Sequence, residues 1–418
     1  SNSEQAPLGT TTKPSLTLVT IKNKVKDSIM YLFDSNKVNF DLLRSRAFNL
    51  RWAELPDDVI PLTAADPDFK SAPEISEAII DYCKGQYFSY GPSEGLIELK
   101  KSVASFFVSK RNVPVKSDFV LPIDSTAFGI YLTCKTLLNT GDEAIIFDPV
   151  DFLFKYSIEK VGAKAIPFSI PPNTKKVDFQ KLEHLITNRT KLICLCNPLN
   201  PTGKVFTRDE LLMLGSIAVK YDLTILSDEI WSDIVYHPAE FVSIASLNEE
   251  IRNKTITVTG FSKSFGMAGL RIGVIIAHNE QHYNSIVDYS MHKYTIHGAN
   301  VLSQIAAIAA LEKCDYWLTG FVDHTRKMRD LLVREINTIP NLSCIAPDGC
   351  YVAFINIQKT NKTSQEVYEI LLNEAKVAVV PGLEKWFGKG AEGYIRICFS
   401  TSEAILLESI LRIKKCLI

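Results

Sequence analysis

Thr255-Ile256-Thr257-Val258-Thr259-Gly260-Phe261-Ser262-Lys263-Ser264-Phe265-Gly266-Met267-Ala268-Gly269-Leu270-Arg271-Ile272-Gly273 begins as a β-branched run and ends among glycines and small residues. The run reads as a buried strand, and the small residues after it read as a turn that presents an amine at the strand's carboxyl end. An isolated Ser-Lys pair is ordinarily part of a solvated loop, so the weight falls on the neighbouring chain, which repeats the pattern. Leu192-Ile193-Cys194-Leu195-Cys196 runs into Asn197-Pro198-Leu199-Asn200-Pro201-Thr202-Gly203, and Thr224-Ile225-Leu226 runs into Ser227-Asp228-Glu229-Ile230-Trp231.

Further apolar runs stand at Ala144 to Phe147, Ala165 to Phe168 and Val274 to Ile276, with helical patterns such as Glu210 to Tyr221 between them. This alternation predicts an α/β fold, a mostly parallel sheet flanked by helices. Ligands of such sheets sit outside the carboxyl ends of the strands, so the three polar clusters converge on one crevice. Residues 1–35 read as a polar arm with no place in the sheet.

Composition narrows the function. The 418 residues, 46% hydrophobic, can bury a large core in two or three units, and a formal charge of −1 provides no basic field for nucleic acid or an anionic membrane. There is no apolar run long enough to span a bilayer and no signal-peptide core at the start, which reads as a cytoplasmic protein. The nine cysteines are scattered singly, without Cys-x-x-Cys spacing, which fits reduced thiols rather than a metal site. Cys194 and Cys196 read as core.

A lysine at a strand exit can form an imine with an aldehyde cofactor, of which pyridoxal 5′-phosphate (PLP) is the usual one. Such a cofactor needs a carboxylate beside its ring nitrogen, which Asp228 can supply; an ordinary helix cap is the alternative. Asn200 offers a neutral donor for the ring's phenolate oxygen, in a turn set by Pro198, Pro201 and Gly203. A phosphate needs helix-start N–H groups, hydroxyls and a cation. Ser125, Thr126 and Ala127 open an apolar helix from Phe128 to Leu138, and Ser262 and Arg271 flank Lys263. Ordinary helix capping is an equal account of Ser125 and Thr126. Arg396, on the alternating stretch Gly393 to Phe399, can hold a substrate α-carboxylate bidentately, or can be an edge-strand salt bridge. Lys37, Arg44, Arg46 and Arg51 can face an acidic substrate side chain, but a solvated basic surface is the plainer account.

In this order the chain resembles the fold-type I, PLP-dependent class I/II aminotransferases, from about Leu62 to Thr401. The resemblance rests on Tyr87 to Gly95, Thr140-Gly141-Asp142-Glu143, Asp148-Pro149, Asn197 to Gly203, Asp228-Glu229, Ser262-Lys263 to Gly273, Val380-Pro381-Gly382 and Arg396. It implies a large PLP-binding domain over 71–304, a small domain made from 36–70 together with 305–418, and a homodimer with shared active sites. It implies that Lys263 is the Schiff-base lysine and general base, Asp228 the pyridinium partner, Asn200 the phenolate donor and Arg396 the carboxylate anchor. Tyr90 is then expected to reach the neighbouring subunit's cofactor phosphate.

Four positions depart from the family pattern. Ser125 stands for a glycine, and Gly260 for a serine. Trp231 stands for a tyrosine and can donate but not accept. Asp151 stands for the aromatic that stacks on the ring and cannot stack, so either Phe152 or Phe154 takes over or the ring is held differently. Ala64-Ala65-Asp66-Pro67-Asp68-Phe69 is similar to the cystathionine β-lyase-like C–S lyases, and so is Arg51-Trp52-Ala53-Glu54. Gly269-Leu270-Arg271-Ile272-Gly273 has the aminotransferase form. Aminotransfer between an L-amino acid and a 2-oxo acid is therefore the expectation, with β-elimination to pyruvate and ammonia as the alternative. A non-catalytic PLP-binding or amino-acid-binding protein comes third, since both Lys263 and Asp228 are kept.

Overall fold

The computed structural model describes residues 28–417. Most of the predicted arm lies outside them. Its described end is not free: Phe33 is buried and packs edge-on against Phe69 and Trp317.

After a two-residue strand at Ile60–Pro61 (β1), the chain lays down Val120–Ile123 (β2), Glu143–Asp148 (β3), Lys164–Ser169 (β4), Thr190–Cys196 (β5), Thr224–Asp228 (β6), Thr255–Gly260 (β7) and Gly273–Ala277 (β8). The last seven form one sheet in the order β2-β8-β7-β6-β5-β3-β4. All its neighbours are parallel except those of β8, which runs antiparallel to both β2 and β7. The reversal has a local cause. The Lys263 loop between β7 and β8 holds only the short helices Ser262–Phe265 and Ala268–Leu270, too little for a crossover. β2 carries Pro122, which breaks the sequence pattern but is tolerated on an edge strand. In the central strands Cys194 and Cys196 are buried, as their apolar setting predicted.

Helices cover the sheet. That over Arg208–Lys220 begins with a capping box, in which the Thr207 hydroxyl accepts from the Glu210 N–H while Glu210 accepts from the Thr207 N–H. No described helix is long and apolar enough to cross a membrane.

Ser343–Cys344 (β9), Val352–Asn356 (β10), Val380–Pro381 (β12) and Tyr394–Cys398 (β13) form an antiparallel sheet in the order β12-β13-β10-β9. Val377–Ala378 (β11) pairs with β1 instead, Ile60 opposite Val377. The Cys398 N–H also donates to the Leu62 carbonyl at 3.0 Å. The residues ahead of position 70 are thereby stitched to the last strands of the chain.

Candidate active site

Lys263 is the second residue of the short helix that leaves β7. It is half-buried, and its Nζ donates to the Ala65 carbonyl at 2.6 Å and lies 5.4 Å from the centre of the Trp231 ring. Burial lowers its pKa; Asp66 opposes that shift and Arg396 adds to it. A desolvated amine that is easily left neutral is a nucleophile and a base.

Asp228 ends β6, between Cys196 of β5 and Val258 of β7. It is 6% exposed, and one oxygen accepts the Ile230 N–H at 3.1 Å. No helix starts directly after Asp228, so the helix-cap alternative falls; what remains is a turn bond to the Ile230 N–H, which leaves the second carboxylate oxygen for another donor. Burial pushes its carboxyl up to about 7, against the Ile230 hydrogen bond and helped by Asp151 and Glu229. A cationic ring nitrogen beside it would reverse that shift.

Asn200 and Arg396 belong to one hydrogen-bonded chain. Arg396 Nη1 donates to Asn200 Oδ1 at 3.1 Å, and Asn200 Nδ2 donates to Asp151 Oδ2 at 3.0 Å. Arg396 Nη2 donates to the Thr63 carbonyl at 2.9 Å, and its Nε is buried without a partner among the described residues. Arg396 is therefore no edge-strand surface bridge: it is 7% exposed on β13, with its guanidinium 5.4 Å from the Phe387 ring centre.

The helix Thr126–Leu137 points its start at the ends of β7 and β8. The Ser125 hydroxyl accepts from the Phe128 N–H at 3.0 Å, so Ser125 does cap the helix. The helix ladder leaves the Thr126 and Ala127 N–H groups unused, at the positive end of the dipole. Thr126 Oγ1 is buried with no partner among the described residues. A Cβ on Gly273 would come within 2.8 Å of Thr126 N, and one on Gly260 within 2.7 Å of Thr126 Oγ1, so these two glycines are what let the helix start close in. Ser262 follows at the same strand exit. Arg271 takes a left-handed backbone (φ 50°), which a non-glycine residue seldom adopts, and its side chain is exposed. A buried orphan hydroxyl, free helix-start N–H groups, a lysine and a buried carboxylate together fit PLP.

Some expected residues stand elsewhere. Phe152 is turned outward, 38% exposed, with its ring edge-on to Trp386 at 5.5 Å, while Phe154 is buried in the core. Asp151, just ahead of Phe152, is the residue that faces Asn200. Trp231 is buried beside Lys263 and meets Tyr351 edge-on. Tyr90 lies 89% exposed, with its ring against His297. Arg51 corrects the reading of a solvated basic surface: it is 1% exposed, its Nη2 pairs with Asp68 at 2.5 Å and donates to the Asp66 carbonyl, and its Nε and Nη1 are buried without a partner among the described residues. Sequence reasoning also missed the carbonyls of Thr63 and Ala65. Backbone acceptors leave no mark in a sequence.

Fold and site together define a PLP-dependent enzyme of fold type I. The model of the family Aminotransferase class I and II matches residues 57–413. The chain belongs to that family. It is 31% identical over 371 residues to an aspartate aminotransferase of Bacillus subtilis (strain 168), covering 86% of this chain and 91% of that one. It is likewise 31% identical over 370 residues to aromatic-amino-acid aminotransferase 2 of Thermococcus litoralis, covering 86% and 92%. Among solved structures it is similar to a PLP-bound putative aminotransferase from Clostridium difficile 630, with a TM-score of 0.86 and 27% identity over 92% of this chain and 100% of that one. The protein is a PLP-dependent aminotransferase.

Proposed function

We propose that Lys263 is the residue that joins PLP and then moves the substrate proton, with Arg396 as the carboxylate anchor. The observation that carries this is a shared acceptor segment: Lys263 and Arg396 donate to the carbonyls of Ala65 and Thr63, two residues apart, so base and anchor face the same crevice. PLP bound there supplies an electron sink for the substrate carbon that loses its proton. Asp228 holds the charge of the ring nitrogen, and Asn200 keeps one amide proton for the phenolate oxygen while the other goes to Asp151. Thr126, Ala127, Ser262 and Arg271 hold the phosphate. Lys263, whose pKa burial lowers, would act as the base for the substrate's α-proton.

We also assign the large PLP-binding domain to 71–304 and the small domain to 36–70 with 305–418. A homodimer is supported by the exposed aromatic side chains of Tyr87, Phe88, Tyr90 and Tyr294, with Tyr90 crossing to the neighbour's phosphate. Nine free cysteines support a reducing compartment, the cytoplasm.

The test is an absorbance titration of the PLP-loaded protein with aspartate, aromatic amino acids and cystathionine. Loss of the visible band with release of an oxo acid is the expected outcome. Pyruvate and ammonia from a thioether, with the visible band regained, would make the protein a C–S lyase instead.

A further inference from the structure

Lys263 stands on a single turn of helix, Ser262–Phe265, closed by Gly266 in a left-handed conformation (φ 66°). The Phe265 N–H donates back to the Phe261 carbonyl at 2.9 Å. One turn is too short to hold its own direction, so what aims Lys263 must come from its neighbours. The Ser71 hydroxyl donates to the Gly266 carbonyl at 3.0 Å, and the Ser264 hydroxyl donates to Asp233 Oδ2 at 2.6 Å. Ser264 is 1% exposed, so water does not compete for that second bond.

Asp233 belongs to the segment that carries Asp228 and Trp231. The turn between them is compact: the Ser232 N–H donates to the Glu229 carbonyl at 3.0 Å and the Ile234 N–H to the Trp231 carbonyl at 2.9 Å. The Ser264 bond therefore couples the Asp228 segment to the turn that carries the amine. Asp233 is itself held by Arg111, the last residue of the helix Ile97–Arg111. Arg111 Nη2 pairs with Asp233 Oδ1 and donates to Ser232 Oγ at 3.2 Å. The two side chains are only 13% and 16% exposed, and the guanidinium carbon lies 4.9 Å and 5.2 Å from the ring centres of Phe106 and Phe241. Arg111 Nε is buried without a partner among the described residues, so the pairing runs through Nη2. A carboxylate fixed on one oxygen by a guanidinium offers its other oxygen at a set place, where a hydroxyl bonds it strongly.

We infer that Asp233 is a positioning residue for Lys263: through Ser264 it fixes the turn that carries the amine relative to Asp228, and so keeps the amine in line with the substrate's α-proton. This rests on Lys263 being the base for that proton. Asp233 needs no contact with substrate or cofactor to act in this way. A base displaced by a fraction of an ångström transfers the proton more slowly, while binding through Arg396 is left alone.

The experiment uses the full chain as wild type, Ser264→Ala, Asp233→Ala and the double variant. Ser264→Ala decides it, because that change leaves the Arg111–Asp233 pair in place, whereas Asp233→Ala strands a largely buried guanidinium. Without cofactor, hydrogen–deuterium exchange over 261–266 reads the turn directly. With PLP loaded, kcat, KM and the isotope effect of an α-deuterated amino acid on kcat read the proton transfer. Ser264→Ala is expected to quicken exchange in that segment, lower kcat about tenfold, keep KM within about twofold and raise the isotope effect. The double variant should be no slower than Asp233→Ala, since both single changes break one bond. An isotope effect that Ser264→Ala leaves unmoved makes the tie purely structural and overturns the inference. Unchanged exchange overturns it too, as does a double variant slower than Asp233→Ala by the full factor of Ser264→Ala. If exchange quickens while Lys263→Ala keeps the visible absorption of PLP-loaded protein, the coupling of Asp233 to the turn stands and the role given to Lys263 fails.

Discussion

At the scale of single residues, the three on which the proposed roles rest stood out in the sequence because each lies at a place where chain direction and chemistry coincide. Lys263 follows a strand, Asp228 ends one and Arg396 lies on one. Lys263→Ala is expected to remove the visible absorption of PLP-loaded protein along with turnover; a persisting band would place the covalent link elsewhere. Arg396→Ala should weaken amino-acid binding by about 2–5 kcal/mol, since it leaves a buried carboxylate without its partner, and an unchanged KM would refute the anchor. Asp228 makes a pH prediction for the cofactor-free protein. Its folded carboxyl titrates at about 7 rather than the ordinary 3.8, so the folded chain holds that proton more tightly than the unfolded one. This contribution to stability is therefore complete at low pH and is lost as pH rises from about 4 to about 7. Asp228→Asn removes it, so the melting temperature of the variant minus that of the wild type should climb across that window; a constant difference would contradict the burial argument. Arg51 was illegible for a physical reason. An arginine reads as surface until its partner is known, and Asp68 lies 17 positions away in sequence.

At the scale of elements, each central strand was visible within one or two residues, because buried parallel strands are continuous apolar runs. β2 was missed because of Pro122, and the antiparallel sense of β8 depends on the length of a loop rather than on its composition. The helix over Thr126–Leu137 was visible as a helix, but its approach to β7 and β8 was not. That approach is set by Gly260 and Gly273, whose missing side chains carry no pattern. Gly273→Ala would push a Cβ against backbone atoms of Ser125 and Thr126 at 2.9 and 2.8 Å, so the helix start must retreat from the phosphate position. The expected outcome is a loss of PLP affinity of tenfold or more by equilibrium dialysis with the fold intact by circular dichroism. Unaltered affinity would take the phosphate away from this helix.

At the scale of the molecule, Tyr90 is the test of shared sites. A chain carrying Lys263→Ala and a chain carrying Tyr90→Ala, each poorly active alone, should regain turnover when unfolded together and refolded, since a mixed dimer rebuilds one intact site. Activity no greater than the sum of the two would leave Tyr90 without a role across the interface. The exposed aromatics around Tyr90 were conspicuous in the sequence only by resemblance; their exposure, which gives them physical meaning, is a property of the folded surface.

The stitching of β1 to β11, and of Leu62 to Cys398, also orders events in time. A ribosome delivers Thr63 and Ala65 before Lys263, and Lys263 before Arg396. The acceptor segment therefore waits for β11 and β13 to be made before anything pins it. A growing chain can already expose Lys263 while the strand that carries Arg396 has yet to be synthesised.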